Sequence, residues 1–353
     1  MTVLTVVGAR PQFVKAAAVS RELRREHEEV LVHTGQHYDE EMSDVFFDEL
    51  GIPEPDDNLG VGSDSHGAQT AEMIAGLEEL IAAEEPDAVL VYGDTNSTLA
   101  AAVAASKMDT ELAHVEAGLR SYNREMPEEV NRVLTDHAAD LLFAPSRRAV
   151  ENLRAESVAG AVHDTGDVMF DAVLWARDRA ADHSTVLDDL GVDPGEYVLA
   201  TVHRAGNTDD PDRLAAVLDA LAADPREVVF PAHPRTVERM AEYGLREDAE
   251  ECITVTEPAG YLDFVRLQDC ADVVATDSGG VQKEAFFLDT PCVTMRGETE
   301  WRETVEAGWN QLVGADSEAI RRALATAERP TEKPQPYGDG DAAARIAELL
   351  SDV

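Results

Sequence analysis

At 353 residues the chain is too long for one small core and suits two domains. Acidic residues outnumber basic ones by 71 to 29, a net charge of -42 that leaves no basic face for nucleic acid. Apolar content is ordinary, and no apolar run approaches the roughly 20 residues that span a bilayer, so no membrane-spanning helix is expected.

The carboxylates are spread along every helical stretch, and lysine is found at Lys15, Lys107, Lys283 and Lys333 alone. Such a balance fits a high-salt cytoplasm, where ions screen self-repulsion; an acidic partner-binding protein is the other reading. Cys252, Cys270 and Cys292 are scattered in apolar contexts with no Cys-x-x-Cys pair, which points to buried small residues and not to disulfides or a thiolate zinc site.

Val3 to Val7 reads as the first strand, directly after the start and without the basic n-region of a signal peptide, so a cytoplasmic chain is expected. The turn Gly8-Ala-Arg10-Pro11 feeds a helix from Gln12 to Glu26, and Glu29 to Thr34 is a second strand. Asp39 to Leu50 and His66 to Ala83 read as helices, followed by the buried strand Ala88 to Tyr92. Gly93-Asp94-Thr95-Asn96-Ser97 is a turn rich in capping residues before the small-residue helix Thr98 to Ser106. Strand Glu111 to Val115, helix Glu128 to Ala139 and strand Asp140 to Ala144 complete the first half. After Thr165-Gly166-Asp167 the alternation restarts with five strands: Tyr197 to Val202, Glu227 to Phe230, Cys252 to Thr256, Ala271 to Thr276 and Pro291 to Met295. Arg329 to Pro336 is a linker by composition, and Asp341 to Leu350 is a last helix.

Alternating strands and helices predict an α/β protein with parallel sheets covered on both faces. The expected division is an N-terminal domain over 1–167, a C-terminal domain over 168–336 and a terminal helix within 337–353 packing back on the first. Two such halves create a cleft, where ligands commonly bind.

The stretch Thr276-Asp277-Ser278-Gly279-Gly280 links the fourth strand of the second half to a helix. Strand, Ser-Gly-Gly, helix is a device for holding an anion, because glycines permit close backbone approach and the helix start has unpaired donors. Ser278 adds an N-cap hydroxyl that serves either the helix or a phosphate. Other polar residues follow predicted strands, where an open α/β sheet presents ligand groups. Arg10 follows the first, Asp94 the third, and His203 with Arg204 the first of the second half. His114 and Glu116 end another strand, two apart and so on one face. Each has a plainer account: Asp94 as an N-cap, Glu116 paired to Arg120, Glu128 favouring its helix dipole, His203 as an interior histidine, Lys15 as a solvated cation. That all gather on one rim is what those accounts leave unexplained. No metal cluster emerges, and no Gly-x-Gly-x-x-Gly follows the first strand, so neither metal nor dinucleotide cofactor is expected.

At these residues the chain resembles the non-hydrolysing UDP-N-acetylglucosamine 2-epimerases, nearly end to end. The matching segments include Gly8-Ala-Arg10-Pro11 with Lys15, Gly93-Asp94-Thr95, His114-Val-Glu116-Ala-Gly118-Leu-Arg120, and Pro127-Glu128-Glu129 with Asn131-Arg132. His203-Arg204, Thr276 to Gln282 with Glu284, and Thr299-Glu300 continue the match. The resemblance implies a GT-B fold of two Rossmann-like domains with a cleft between them, a homodimer, and epimerisation without an oxidised cofactor. It implies catalytic roles for Asp94, Glu116, Glu128, His203 and Lys15. It further implies UDP-sugar binding by Arg10, His203, Ser278, Gly279 and Gly280, with Phe264 beside the uracil and Glu284 on the ribose.

Three segments depart from the better-known bacterial members: Ala205-Gly206 after His203-Arg204, Trp301-Arg302 after Thr299-Glu300, and Gly35-Gln-His-Tyr38. They resemble the branch acting on UDP-2,3-diacetamido-2,3-dideoxyglucuronic acid, the alternative substrate. A non-catalytic UDP-sugar-binding regulator is the alternative from another functional class.

Overall fold

The computed structural model describes residues 1–36, 51–62 and 64–352; the expected helix Asp39 to Leu50, and His37 and Tyr38, lie outside the described residues. The chain forms two compact units, Met1–Ala172 with Gln335–Val353, and Val173–Pro334.

The first unit contains a seven-stranded, all-parallel sheet of β1 (Thr2–Val7), β2 (Glu28–His33), β3 (Asp57–Asn58), β4 (Ala88–Tyr92), β5 (Glu111–Val115), β6 (Leu141–Ala144) and β7 (Ala161–Asp164). Their spatial order is β3-β2-β1-β4-β5-β6-β7, so the chain reverses its direction of travel between β1 and β4. Residues of both parities are buried along β1 and β4, which is why these strands read as unbroken apolar runs. Leu4, Val6, Val89 and Val91 pack with Leu77 and Ile81 of the helix His66–Glu84 and the alanines of the helix Asn96–Ala105. The helix Arg10–Glu26 packs against the terminal helix Ala342–Leu350, where His27 Nε2 lies 3.0 Å from Ser351 Oγ.

The second unit holds a six-stranded parallel sheet: β8 (Tyr197–Thr201), β9 (Glu227–Pro231), β10 (Thr254–Thr256), β11 (Val273–Thr276), β12 (Cys292–Thr294) and β13 (Asn310–Leu312), in the order β10-β9-β8-β11-β12-β13. Alternate residues serve two cores. Val198, Ala200, Val228, Phe230, Val273 and Ala275 join one cluster, while Tyr197, Leu199, Val229 and Val274 join the other.

The sheets hold three strands that the sequence did not announce: β3, β7 and β13. Each is a short edge strand with polar or exposed residues, held by backbone pairing to one neighbour and carrying no apolar periodicity. Cys252 is exposed, in the turn before β10, whereas Cys270 and Cys292 are buried as expected. The strand expected from Ala271 begins at Val273, since Ala271 closes the preceding helix.

Candidate active site

In the first unit the segments after β1, β4 and β5 hold Arg10, Asp94 and Glu116 of the expected site residues. Gln12 braces the first of them: its Oε1 accepts from the backbone N–H groups of Gly8 and Ala9 at 2.9 and 3.0 Å, and its Nε2 donates to Tyr92 O. That amide fixes the start of the helix Arg10–Glu26, which presents Lys15. Arg10 opens this helix, though its side chain lies outside the described residues.

Lys15 forms an ion pair with Glu116, both side chains being about nine-tenths buried at 12% and 10% exposure. Glu116 lies just past β5 in the left-handed region, φ 70°, with its N–H donating to Phe143 O. The strand alternation has ended there, so His114 and Glu116 do not share a face. His114 is instead fully buried, its ring joining Gly93 O and Asp136 Oδ1, each at 2.8 Å. Nor does Glu116 pair with Arg120, which binds Asp136 and Glu156. Burial raises the Asp136 carboxyl, but His114 and Arg120 overcome it and hold it below the usual carboxylate range. Gly93, at φ 62°, lies under the Lys15–Glu116 pair: a Cβ there would sit 3.3 Å from Lys15 Nζ and 3.4 Å from Glu116 Oε2.

Asp94 is not the N-cap of the following helix. Thr95 takes that place, accepting from Thr98 N–H, and the Asp94 carboxylate pairs with Arg132. Glu128 is exposed in the first turn of the helix Pro127–Ala138, three and four residues before Asn131 and Arg132 and so on their face.

In the second unit the centre is Asp277, fully buried after β11. Its carboxylate accepts from the backbone N–H groups of His203 and Arg204 at 3.0 Å and from Asn207 Nδ2 at 3.1 Å. One aspartate thereby ties the loop after β8 to the loop after β11. His203 Nδ1 is 3.6 Å from Asp277 Oδ1, and the His203 and His233 rings are 6.5 Å apart. Burial pushes the His203 imidazole below its ordinary value against the pull of Asp277, and Arg204 and His233 push it the same way.

Ser278 occupies the N-cap position of the helix Gly279–Phe287, but its hydroxyl makes no capping bond. Of the two uses open to it, the helix does not take it up. Two cations flank this corner: Arg204, which the sequence already places after the first strand of the second half, and Arg296, which the sequence reading did not single out. Measured from a Cβ on Gly279, Arg204 NH2 lies 3.7 Å and Arg296 NH1 3.8 Å away, with Glu300 Oε2 at 3.5 Å. Arg296 and Glu300 are bonded at 3.0 and 3.2 Å. Arg296 follows β12 by two residues, so the strand-end rule extends to it. Trp301 Nε1 donates to Gly279 O at 2.8 Å, and Lys283 Nζ lies 4.2 Å from the centre of the Trp301 ring. Glu284 accepts from Gln268 Nε2 at 2.9 Å, and Phe264 is half-buried against the Tyr197–Leu199 core. Among the described residues, a helix start, a Ser278 hydroxyl that makes no capping bond and two guanidinium groups form a corner with the chemistry to receive a polyanion.

The family model for UDP-N-acetylglucosamine 2-epimerase matches residues 21–351. A UDP-N-acetylglucosamine 2-epimerase homolog of Methanococcus maripaludis is 47% identical, over the whole of both chains. The UDP-2,3-diacetamido-2,3-dideoxy-D-glucuronate 2-epimerase of Pseudomonas aeruginosa is 46% identical over 99% of each. Among solved structures, the Methanocaldococcus jannaschii UDP-GlcNAc 2-epimerase in complex with UDP-GlcNAc and UDP is 39% identical, covers both chains completely and superposes with a TM-score of 0.85. Together with the two Rossmann-like sheets of the GT-B fold, these matches establish that the chain belongs to the UDP-N-acetylglucosamine 2-epimerase family.

Proposed function

We propose that the protein interconverts UDP-N-acetylglucosamine and UDP-N-acetylmannosamine by eliminating UDP and adding it back. The observation that carries this reading is the corner at Ser278, with its uncommitted hydroxyl and the guanidinium groups of Arg204 and Arg296. The carbon 2 hydrogen is not next to a carbonyl, so its loss must be coupled to departure of the anomeric oxygen. The C1–O bond breaks with its electron pair going to UDP, the carbon 2 proton passes to a protein base, and a 2-acetamidoglucal remains. UDP then attacks C1 while carbon 2 is protonated from the opposite face. Fixed donors must meet the leaving diphosphate. Ser278, the N–H groups of Gly279 and Gly280, Arg10 and His203 take that role, joined by Arg204 and Arg296. Glu284 binds the ribose hydroxyls and Phe264 lies beside the uracil.

Asp94, Glu116 and Glu128 exchange the carbon 2 proton, with Lys15 supporting Glu116. Two of these carboxylates have a largely buried cationic partner, which holds a charged acceptor in place. The active form is a homodimer in a salt-rich cytoplasm. Incubation with UDP-N-acetylglucosamine in deuterium oxide at high salt introduces deuterium at carbon 2 of both epimers; absence of exchange from any UDP-2-acetamido sugar overturns the reading.

A second substrate is favoured by a specific observation. The Pseudomonas aeruginosa relative, at 46%, is closer than the Methanocaldococcus jannaschii UDP-N-acetylglucosamine 2-epimerase at 39%. Side-by-side turnover of UDP-N-acetylglucosamine and UDP-2,3-diacetamido-2,3-dideoxyglucuronic acid decides which sugar the site prefers.

A further inference from the structure

We infer that Arg132 is a positioning residue for Asp94, and that Glu129 in turn fixes Arg132. The inference rests on the epimerase reading above and assigns work to residues that lie outside the set proposed to touch substrate. Asp94 projects from a turn after β4 and has no rigid element of its own to orient it. The helix Pro127–Ala138 supplies the missing support twice. Asn131 Nδ2 donates to the backbone oxygen of Asp94 at 3.0 Å, fixing the turn, and the Arg132 guanidinium pairs with the carboxylate.

Arg132 is itself constrained. Its NH1 lies 3.3 Å from Glu129 Oε2, three residues earlier on the same helix. Glu129 is a buried carboxylate and accepts from Ser121 N, Ser121 Oγ and Tyr122 N, each at 2.9 Å. Burial raises its carboxyl, but those bonds and the charge of Arg132 outweigh that and hold it below the usual range. The Arg132 Nε is buried with no acceptor among the described residues, a cost accepted to hold the fork in this orientation. Order therefore runs from a clamped loop to Glu129, to Arg132, to Asp94.

The choice of arginine has a chemical consequence. A guanidinium never gives up its proton, so it orients and balances Asp94 without entering the proton exchange. The second pair, Glu116 with Lys15, has a cation that can carry a proton, so the two pairs are not equivalent.

The test is the turnover of Arg132→Met and Arg132→Lys, followed by carbon 2 deuterium exchange, alongside UDP binding. The expected result for Arg132→Met is a fall in kcat of about 100-fold, the scale of a misplaced catalytic group, with KM within about threefold and UDP affinity unchanged. Arg132→Lys, which restores the charge without the fork, recovers about tenfold of that loss. Turnover of Arg132→Met within about twofold of wild type overturns the inference, as does a loss confined to KM or one that lysine fails to reduce. Should the methionine variant not fold, the lysine variant alone decides: full wild-type activity there removes any need for a fork that spans Asp94 and Glu129. Wild-type protein that exchanges no deuterium defeats the epimerase reading instead, so the two failures are separable.

Discussion

At the scale of single residues, a left-handed backbone lies directly beside the Lys15–Glu116 pair. Gly93 and Glu116 have φ of 62° and 70°, and the glycine leaves room for the Lys15–Glu116 pair above it. Only glycine adopts that conformation without penalty, whereas Glu116 holds it through the N–H bond to Phe143 O and its buried partner. Gly93→Ala therefore acts twice. The backbone strain costs about 1 kcal/mol of stability. The added methyl also presses on Lys15 Nζ from 3.3 Å, displacing a pair that has little room to yield. Turnover is expected to fall at least tenfold with UDP binding intact, since the anion corner belongs to the other unit. Steady-state kinetics and a UDP titration on the purified variant check both halves; unchanged kcat removes Gly93 from the list of constraints.

At the scale of elements, the legible part of this fold was the part whose side chains face two cores. β1, β4, β8 and β11 are buried on both faces, and their runs of Val, Leu and Ala say so without help. The edge strands β3, β7 and β13 stay silent because backbone pairing, not side-chain burial, makes them strands. The same division holds at the site. Position after a strand could be read for Asp94, Glu116, His203 and Ser278, because the α/β topology dictates where strands end. Partners could not, since Lys15 and Glu116 are 101 residues apart and Asp94 and Arg132 are 38 apart. One element carries its own titration. Asp171, in the helix Val168–His183, accepts from Ala343 N at 2.8 Å at the start of the terminal helix Ala342–Leu350, while its Oδ2 is buried with no bond among the described residues. Burial raises its carboxyl to about 6. A raised folded-state value means the protonated form favours folding, so this contribution is full below the unfolded value near 4 and is lost as pH rises through about 6. Asp171→Asn keeps the acceptor for Ala343 and removes the charge. Its melting temperature should exceed wild type by a few degrees near pH 7.5 and match it only below about pH 4, by thermal unfolding at both. A variant less stable at both values contradicts this.

At the scale of the whole molecule, charge is the dominant fact. A net charge of -42 on 353 residues is self-repulsion that the compact state must bear and the unfolded chain relieves. Nearly all lysine has been shed, and what remains is mostly tied to particular contacts: Lys15 to Glu116, Lys283 to Trp301, Lys333 to Asp289 and Phe287 O, while Lys107 is exposed. Most of the lysines are thus committed to local contacts and do little against the general repulsion. Screening must then come from solvent. The Debye length shrinks from about 10 Å at 0.1 M salt to about 3 Å at 1 M, which removes repulsion between carboxylates on neighbouring helices but reaches buried pairs much less. Thermal unfolding measured from about 0.1 to 2 M potassium chloride should therefore show a steep rise in midpoint, with the steepest part below about 1 M. Lithium, sodium and potassium chlorides at equal concentration should give similar rises if screening is the cause, and turnover should follow the folded fraction. A midpoint that is flat or falls with salt would mean that the carboxylates are already neutralised within the fold, and the high-salt reading of this composition would be lost.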